Sequence, residues 1–153
     1  MQPPLPPEDV VQNLLTALLE WKGLTGRLLD LAGKQLKEIL NPREDGVLNA
    51  ILADKQQVYV AACATSERVV TLGSPSSLSS QPEHAWSRIQ ALRAEIGDAL
   101  MELERVETRC REVLAERMAA LRSELERCQQ GARMHSAYAG PAPAASRFLD
   151  KRY

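Results

Sequence analysis

The sequence is poor in what enzymes, secreted scaffolds and sheet proteins use most. Aromatic residues make up 4% of its 153 positions: one Phe, two Trp and three Tyr. Sheet cores lean on aromatic and β-branched side chains, so this scarcity argues against an all-β fold. There are two histidines, His84 and His135, too far apart on one predicted helix to share a metal or a catalytic triad. Cysteines number three, an odd count without a CxxC spacing, which points to free thiols in a reducing compartment rather than a disulfide framework. We expect Cys63, Cys110 and Cys128 to act as small apolar fillers on helix faces. The first residues, Met1-Gln-Pro-Pro-Leu-Pro-Pro7, lack the basic and apolar regions of a signal peptide. No apolar run is long enough to cross a bilayer, so no membrane insertion is expected. Nor is there a dominant charge. The net charge is −1, and Glu and Arg are interspersed, so no broad basic face is offered to a nucleic acid. These absences favour a cytosolic protein.

What remains is helix-forming. Apolar residues are 44% and charged residues 25% of the chain, ordinary values for a folded domain, and Leu, Ala, Glu and Arg are abundant. Residues 1–7 carry four prolines and are expected to form a disordered lead. The helical bundle is expected over residues 8–135, and a flexible tail over 136–153.

Periodicity divides the bundle into three long antiparallel amphipathic helices. The first is predicted from Glu8 to Leu40, with Val11, Leu14, Leu18, Trp21, Leu24, Leu28 and Leu31 recurring at steps of three and four. Asn41-Pro42 stops it, because a residue before proline avoids the helical conformation. Gly23, Gly26 and Gly33 lie inside it at a cost of about 1 kcal/mol each, and they fit either close helix packing or deliberate looseness. The second helix is predicted from Arg43 or Asp45 to Leu72, with Lys55 among the apolar positions of its stripe. The segment from Gly73 to Pro82 reads as a loop.

The third helix, predicted from Glu83 to His135, has a coiled-coil-like stripe from Trp86 through Ile89, Leu92, Ile96 and Cys110 to Cys128. Its outer face pairs Glu102 with Arg105, Glu107 with Arg111 and Glu124 with Arg127, as a solvated helix would. Catalysis has no candidate: no phosphate loop follows a strand, no nucleophile elbow is present, and no Glu-x-x-His pair could hold two irons. We therefore expect no enzyme activity and no cofactor.

Length exposes a mismatch. At 1.5 Å per residue the helices span about 50, 43 and 80 Å, so the first two cover only the first part of the third. Beyond that cover Val113, Leu114, Met118, Leu121 and Leu125 still make an apolar seam. A second copy of the chain, a staggered first helix or another protein must cover it. The natural mode is an amphipathic helix laid in the groove, so these five residues are the expected client-binding set.

The run Val47-Leu-Asn-Ala-Ile-Leu-Ala-Asp-Lys-Gln-Gln-Val58 resembles the second helix of FlgN-like flagellar export chaperones. The leucine-rich first helix, the charged third helix, and a tail with Tyr138 followed by Ser146-Arg-Phe-Leu-Asp150 are similar to that family too. The resemblance implies a cytosolic chaperone of type III export. It would bind the amphipathic C-terminal helix of a secreted hook-associated subunit, prevent premature assembly, and deliver the subunit to the export gate. By the same resemblance Tyr138 would dock on the gate. Phe148 and Leu149, beside Arg147 and Lys151, offer a second small apolar anchor for such docking. The competing expectation is a coiled-coil scaffold or adaptor that self-associates through the third helix. Whether the free chain is a monomer or a homodimer is left open by either.

Overall fold

A computed structural model of the protein describes residues 7–43, 46–73 and 83–140, and among them the regular structure is entirely helical. Helix α1 spans Pro7–Leu40, α2 spans Val47–Leu72 and α3 spans Glu83–Tyr138. This is the expected all-α architecture, with all three helices where the periodicity places them. The chain divides into two compact units, residues 1–113 and 114–153, and the division falls within α3.

Chain reversals are set by local chemistry. At the end of α1 the amide of Asn41 donates to the Lys37 carbonyl at 2.9 Å. The carboxylate of Glu38 reaches past Pro42 and accepts from the Arg43 amide at 2.8 Å. Helix α2 begins two residues later than the latest expected start, Asp45, and Gly46 supplies the reason. Its φ of 94° lies in the left-handed region, which a residue with a Cβ adopts only under strain. The other end of α2 is equally specific. A Cβ at Gly73 would stand 2.9 Å from both the Arg93 guanidinium and the Val69 carbonyl, so only glycine fits without displacement. Helix α3 runs three residues beyond its expected end, through Tyr138. The amide of Ala139 still donates to the His135 carbonyl, and Gly140 turns with φ +43°. Ser136 and Ala137 are tolerated in a last turn, so the expected boundary at residue 136 moves to Gly140. The expected proline-rich lead, most of the loop at 73–82 and the tail from residue 141 lie outside the described residues.

Within residues 1–113 the core is built in three layers. The first joins Leu14 and Leu18 of α1, Val69 of α2, and Ile89, Leu92 and Ile96 of α3. The second centres on Leu28, Val58 and Ala62, with Leu103 against them. The third joins Ile39 to Cys110 and Val113, with Leu48 beside them. The order of these residues fixes the topology: α1 and α3 run the same way and α2 runs against both. The closest backbone approaches are between α1 and α2. Alanines 17, 32 and 62 are buried.

Several expectations are corrected in detail. Trp86 is exposed, and the core takes its neighbour Ala85 instead. Gly23, Gly26 and Gly33 have no atom within 4 Å of where a Cβ would stand, so close helix approach does not explain them. The filler role for cysteine holds for Cys110, which is buried, but Cys63 and Cys128 are exposed. Thr25 and Thr65 are buried polar residues, satisfied by donating to the carbonyls of Trp21 and Ala61 one turn back, at 2.9 and 3.0 Å.

Candidate functional site

Two features stand out, and they belong to different units. The first is the apolar seam of α3. From Leu114 through Gly140 every residue is exposed. Leu114, Met118, Leu121, Leu125 and Cys128 recur at steps of four, three, four and three, the heptad spacing that keeps a stripe on one face of a helix. Ala132 and His135 continue the alternation to the end of α3. Leu121 is 64% and Leu125 59% exposed, high values for side chains whose full burial is worth about 1.5–3 kcal/mol each. Arg117 and Glu124 occupy positions on one flank of the stripe, and Arg122 and Gln129 on the other.

Of the five residues expected to bind a client, the structure separates one from the rest. Val113 is 4% exposed and belongs to the core layer of Ile39 and Cys110. Leu114, Met118, Leu121 and Leu125 are exposed. Tyr138 closes the helix and is 84% exposed, rather than sitting beyond the helix end. Phe148 and Leu149 lie outside the described residues.

The second feature is a cleft on the bundle, open to solvent on the side of Tyr59 and Leu52. A cavity of about 390 Å³ is lined by Leu28, Leu52, Lys55, Tyr59, Leu103 and Glu107, among others. At its polar end the Lys55 ammonium is ion-paired with the Glu107 carboxylate and donates to Gln35 Oε1 at 2.6 Å. Gln35 is itself buried, so one residue from each helix meets in a polar layer. Glu107 Oε1 is sequestered from solvent, and among the described residues it meets the Lys55 ammonium. The expected Glu107–Arg111 pair is therefore replaced. Arg111 donates instead to the main-chain carbonyl of Glu107 at 3.4 Å and to Thr108 at 3.2 Å. Glu102 and Arg105 do pair as expected, at 2.8 Å. Next to this layer, burial pushes the Cys110 thiol above its ordinary value; Glu107 adds to the rise and Lys55 opposes it.

Sequence reasoning missed this layer, although a signal was present. Lys55 stands at an apolar position of the α2 stripe, and a lysine there needs a buried anion to meet it.

Among the described residues, no group of three or more His, Cys, Asp or Glu side chains is arranged to hold a metal ion. His84 and His135 stand near opposite ends of α3. Among the same residues, no helix is long and apolar enough to cross a membrane.

The fold and the seam together define a class: an all-α bundle whose longest helix carries an uncovered heptad stripe. Comparison with protein-family models, with curated proteins and with solved structures finds no match to this chain.

Proposed function

We propose that the protein is a cytosolic chaperone of flagellar type III export, which holds the amphipathic C-terminal helix of a hook-associated subunit before delivery to the export gate. One observation carries the binding half of this reading. Leu114, Met118, Leu121 and Leu125 form a continuous apolar stripe that no other part of the described chain covers. Such a stripe is matched by an amphipathic helix whose own apolar residues fall at the same spacing. The client's exposed apolar face is what drives its premature assembly, so covering that face would also prevent it. The flagellar assignment rests on the resemblance of residues 47–58 and of the tail. Delivery would use Tyr138, a large ring with a polar handle, together with Phe148 and Leu149.

The test is to mix the purified protein with a hook-associated subunit and weigh the complex by light scattering. The expected result is a one-to-one complex that Leu121→Asp abolishes. Binding unaffected by Leu121→Asp would remove the seam from the reading. The scaffold alternative uses the same stripe without a client, and it gains if no secreted subunit binds while copies of the chain associate in a fixed ratio.

A further inference from the structure

We infer that in the absence of a client the seam of α3 is closed by the same seam of a second copy, running antiparallel, in one register chosen by length, side-chain size and charge. This rests on the reading of the seam as a helix-binding surface and adds its regulation: a client must displace the second copy.

Length comes first. Cys110 and Val113 are already buried with Ile39, so a helix laid on the stripe has only residues 114–138, about 37 Å, to lie against. Size comes second. The first half of the stripe is bulky: Leu114, Met118, Leu121 and Leu125. The second half is Cys128, Ala132 and His135. A parallel pair sets large on large and small on small. An antiparallel pair contained within 114–138 sets Leu125 on the partner's Cys128, Leu121 on the partner's Ala132, and Met118 on the partner's His135. Each bulky residue then meets a smaller or polar-tipped one, which is how facing layers interdigitate.

Charge comes third and discriminates most sharply. In a parallel coiled coil the flanking residue before each stripe residue faces the partner's residue five positions on. That sets Arg117 against the partner's Arg122, twice per dimer. Sliding the antiparallel pair by one heptad sets Glu124 against the partner's Glu124 and Arg122 against the partner's Arg122. Like charges so placed are destabilising. In the register within 114–138 none of these meetings occurs. Arg122 faces the partner's Gln129, Glu124 faces the partner's Gly131, and Arg117 comes opposite the partner's Tyr138. That last pairing places a cation beside the ring of a tyrosine that is otherwise exposed.

No layer joins two large apolar residues, so the dimer is weak and a client helix that sets large apolar residues against Leu121 and Leu125 replaces it.

Three measurements on the full chain test this. Sedimentation equilibrium should give a monomer–dimer equilibrium, and a monomer at every concentration overturns the inference while leaving client binding untouched. Gln129→Glu should tighten the dimer a few-fold, because it places a carboxylate opposite each Arg122. In a parallel dimer the same change faces the partner's Glu124, so weakening overturns the inference. In a Cys63→Ser, Cys128→Ser background, Met118→Cys with His135→Cys should form a disulfide-linked dimer on mild oxidation, and Met118→Cys alone should not. Cross-linking by Met118→Cys alone marks a parallel pair and overturns the register. Finally, a hook-associated subunit should convert dimer to a one-to-one complex. A complex that keeps two copies of this chain overturns the displacement, and no complex at all overturns the client reading but not the dimer.

Discussion

Replacing Lys55 with methionine isolates the energetics of the polar layer. The substitution keeps most of the side-chain volume and removes the cation. Glu107 is then left with Oε1 sequestered from solvent and no ammonium to meet it. The side chains of Lys55 and Glu107 are 18% and 29% exposed, so solvent screens the pair only in part. Removing one partner of a fully buried pair costs about 3–5 kcal/mol, and an exposed pair is worth about 0–1. For a half-buried pair with an additional Gln35 contact, the expected loss is about 1–3 kcal/mol. In a protein of this size that lowers Tm by about 2–4 °C per kcal/mol. Thermal unfolding followed by far-ultraviolet circular dichroism reads it directly. Lys55→Met combined with Glu107→Leu should recover much of the loss, since replacing both partners by apolar groups leaves nothing unsatisfied. A Lys55→Met protein as stable as the wild type would refute the reasoning, because water entering from the adjoining cleft would then replace the ammonium at no cost.

The remaining predictions follow from burial in the same way. Gly23→Ala and Gly26→Ala should each stabilise the protein by about 0.5–1 kcal/mol, because neither added methyl meets an atom within 4 Å; destabilisation in urea titration would show that these glycines serve a conformation other than this one. Leu18→Ala should cost about 2–5 kcal/mol, whereas Leu121→Asp should leave stability within about 0.5 kcal/mol, as their burial dictates; a chain unfolded by Leu121→Asp would place that leucine in the core. In protein dilute enough to be monomeric, thiol labelling should modify Cys63 and Cys128 quickly and Cys110 slowly. The raised Cys110 thiol keeps its proton in the folded state beyond the ordinary thiol range. Its contribution is therefore present below that range and lost as pH rises through the folded-state value. A stability loss at alkaline pH that is reduced in Cys110→Ala is the check.

The helices were legible because their information is local. The stripe Leu14, Leu18, Leu28 repeats at the helical period, Asn41-Pro42 writes its own stop, and the gap before Glu83 is made of breakers. The split within the expected client set was not legible, because Val113 and Leu114 are adjacent and chemically alike. Only the position of Ile39 on a different helix makes one of them core. The polar layer was hidden for the same reason. Glu107 has a suitable arginine four residues on, so the local pairing rule assigned it there, while its true partner lies 52 positions earlier on α2. The ends of α2 depended on single glycines, Gly46 and Gly73, whose constraints are a backbone angle and a neighbouring guanidinium rather than a pattern.

The meeting of Gln35, Lys55 and Glu107 also acts as an address. Helix α2 buries mainly small residues, Val58, Ala62, Thr65 and Val69, and such a face would slide along its neighbours by a heptad at little apolar loss. A slide of that size moves the Lys55 ammonium about 10 Å along the bundle and strands three polar groups at once. Core packing makes the three helices cohere, and this layer, with the Arg68–Glu20 ion pair nearer the other end of α2, sets where α2 stops. Lys55→Met paired with Glu107→Leu should thus leave the bundle stable yet broaden the amide exchange of α2 across several registers; unchanged, site-resolved protection along α2 would assign the register to the apolar layers and the Arg68–Glu20 pair.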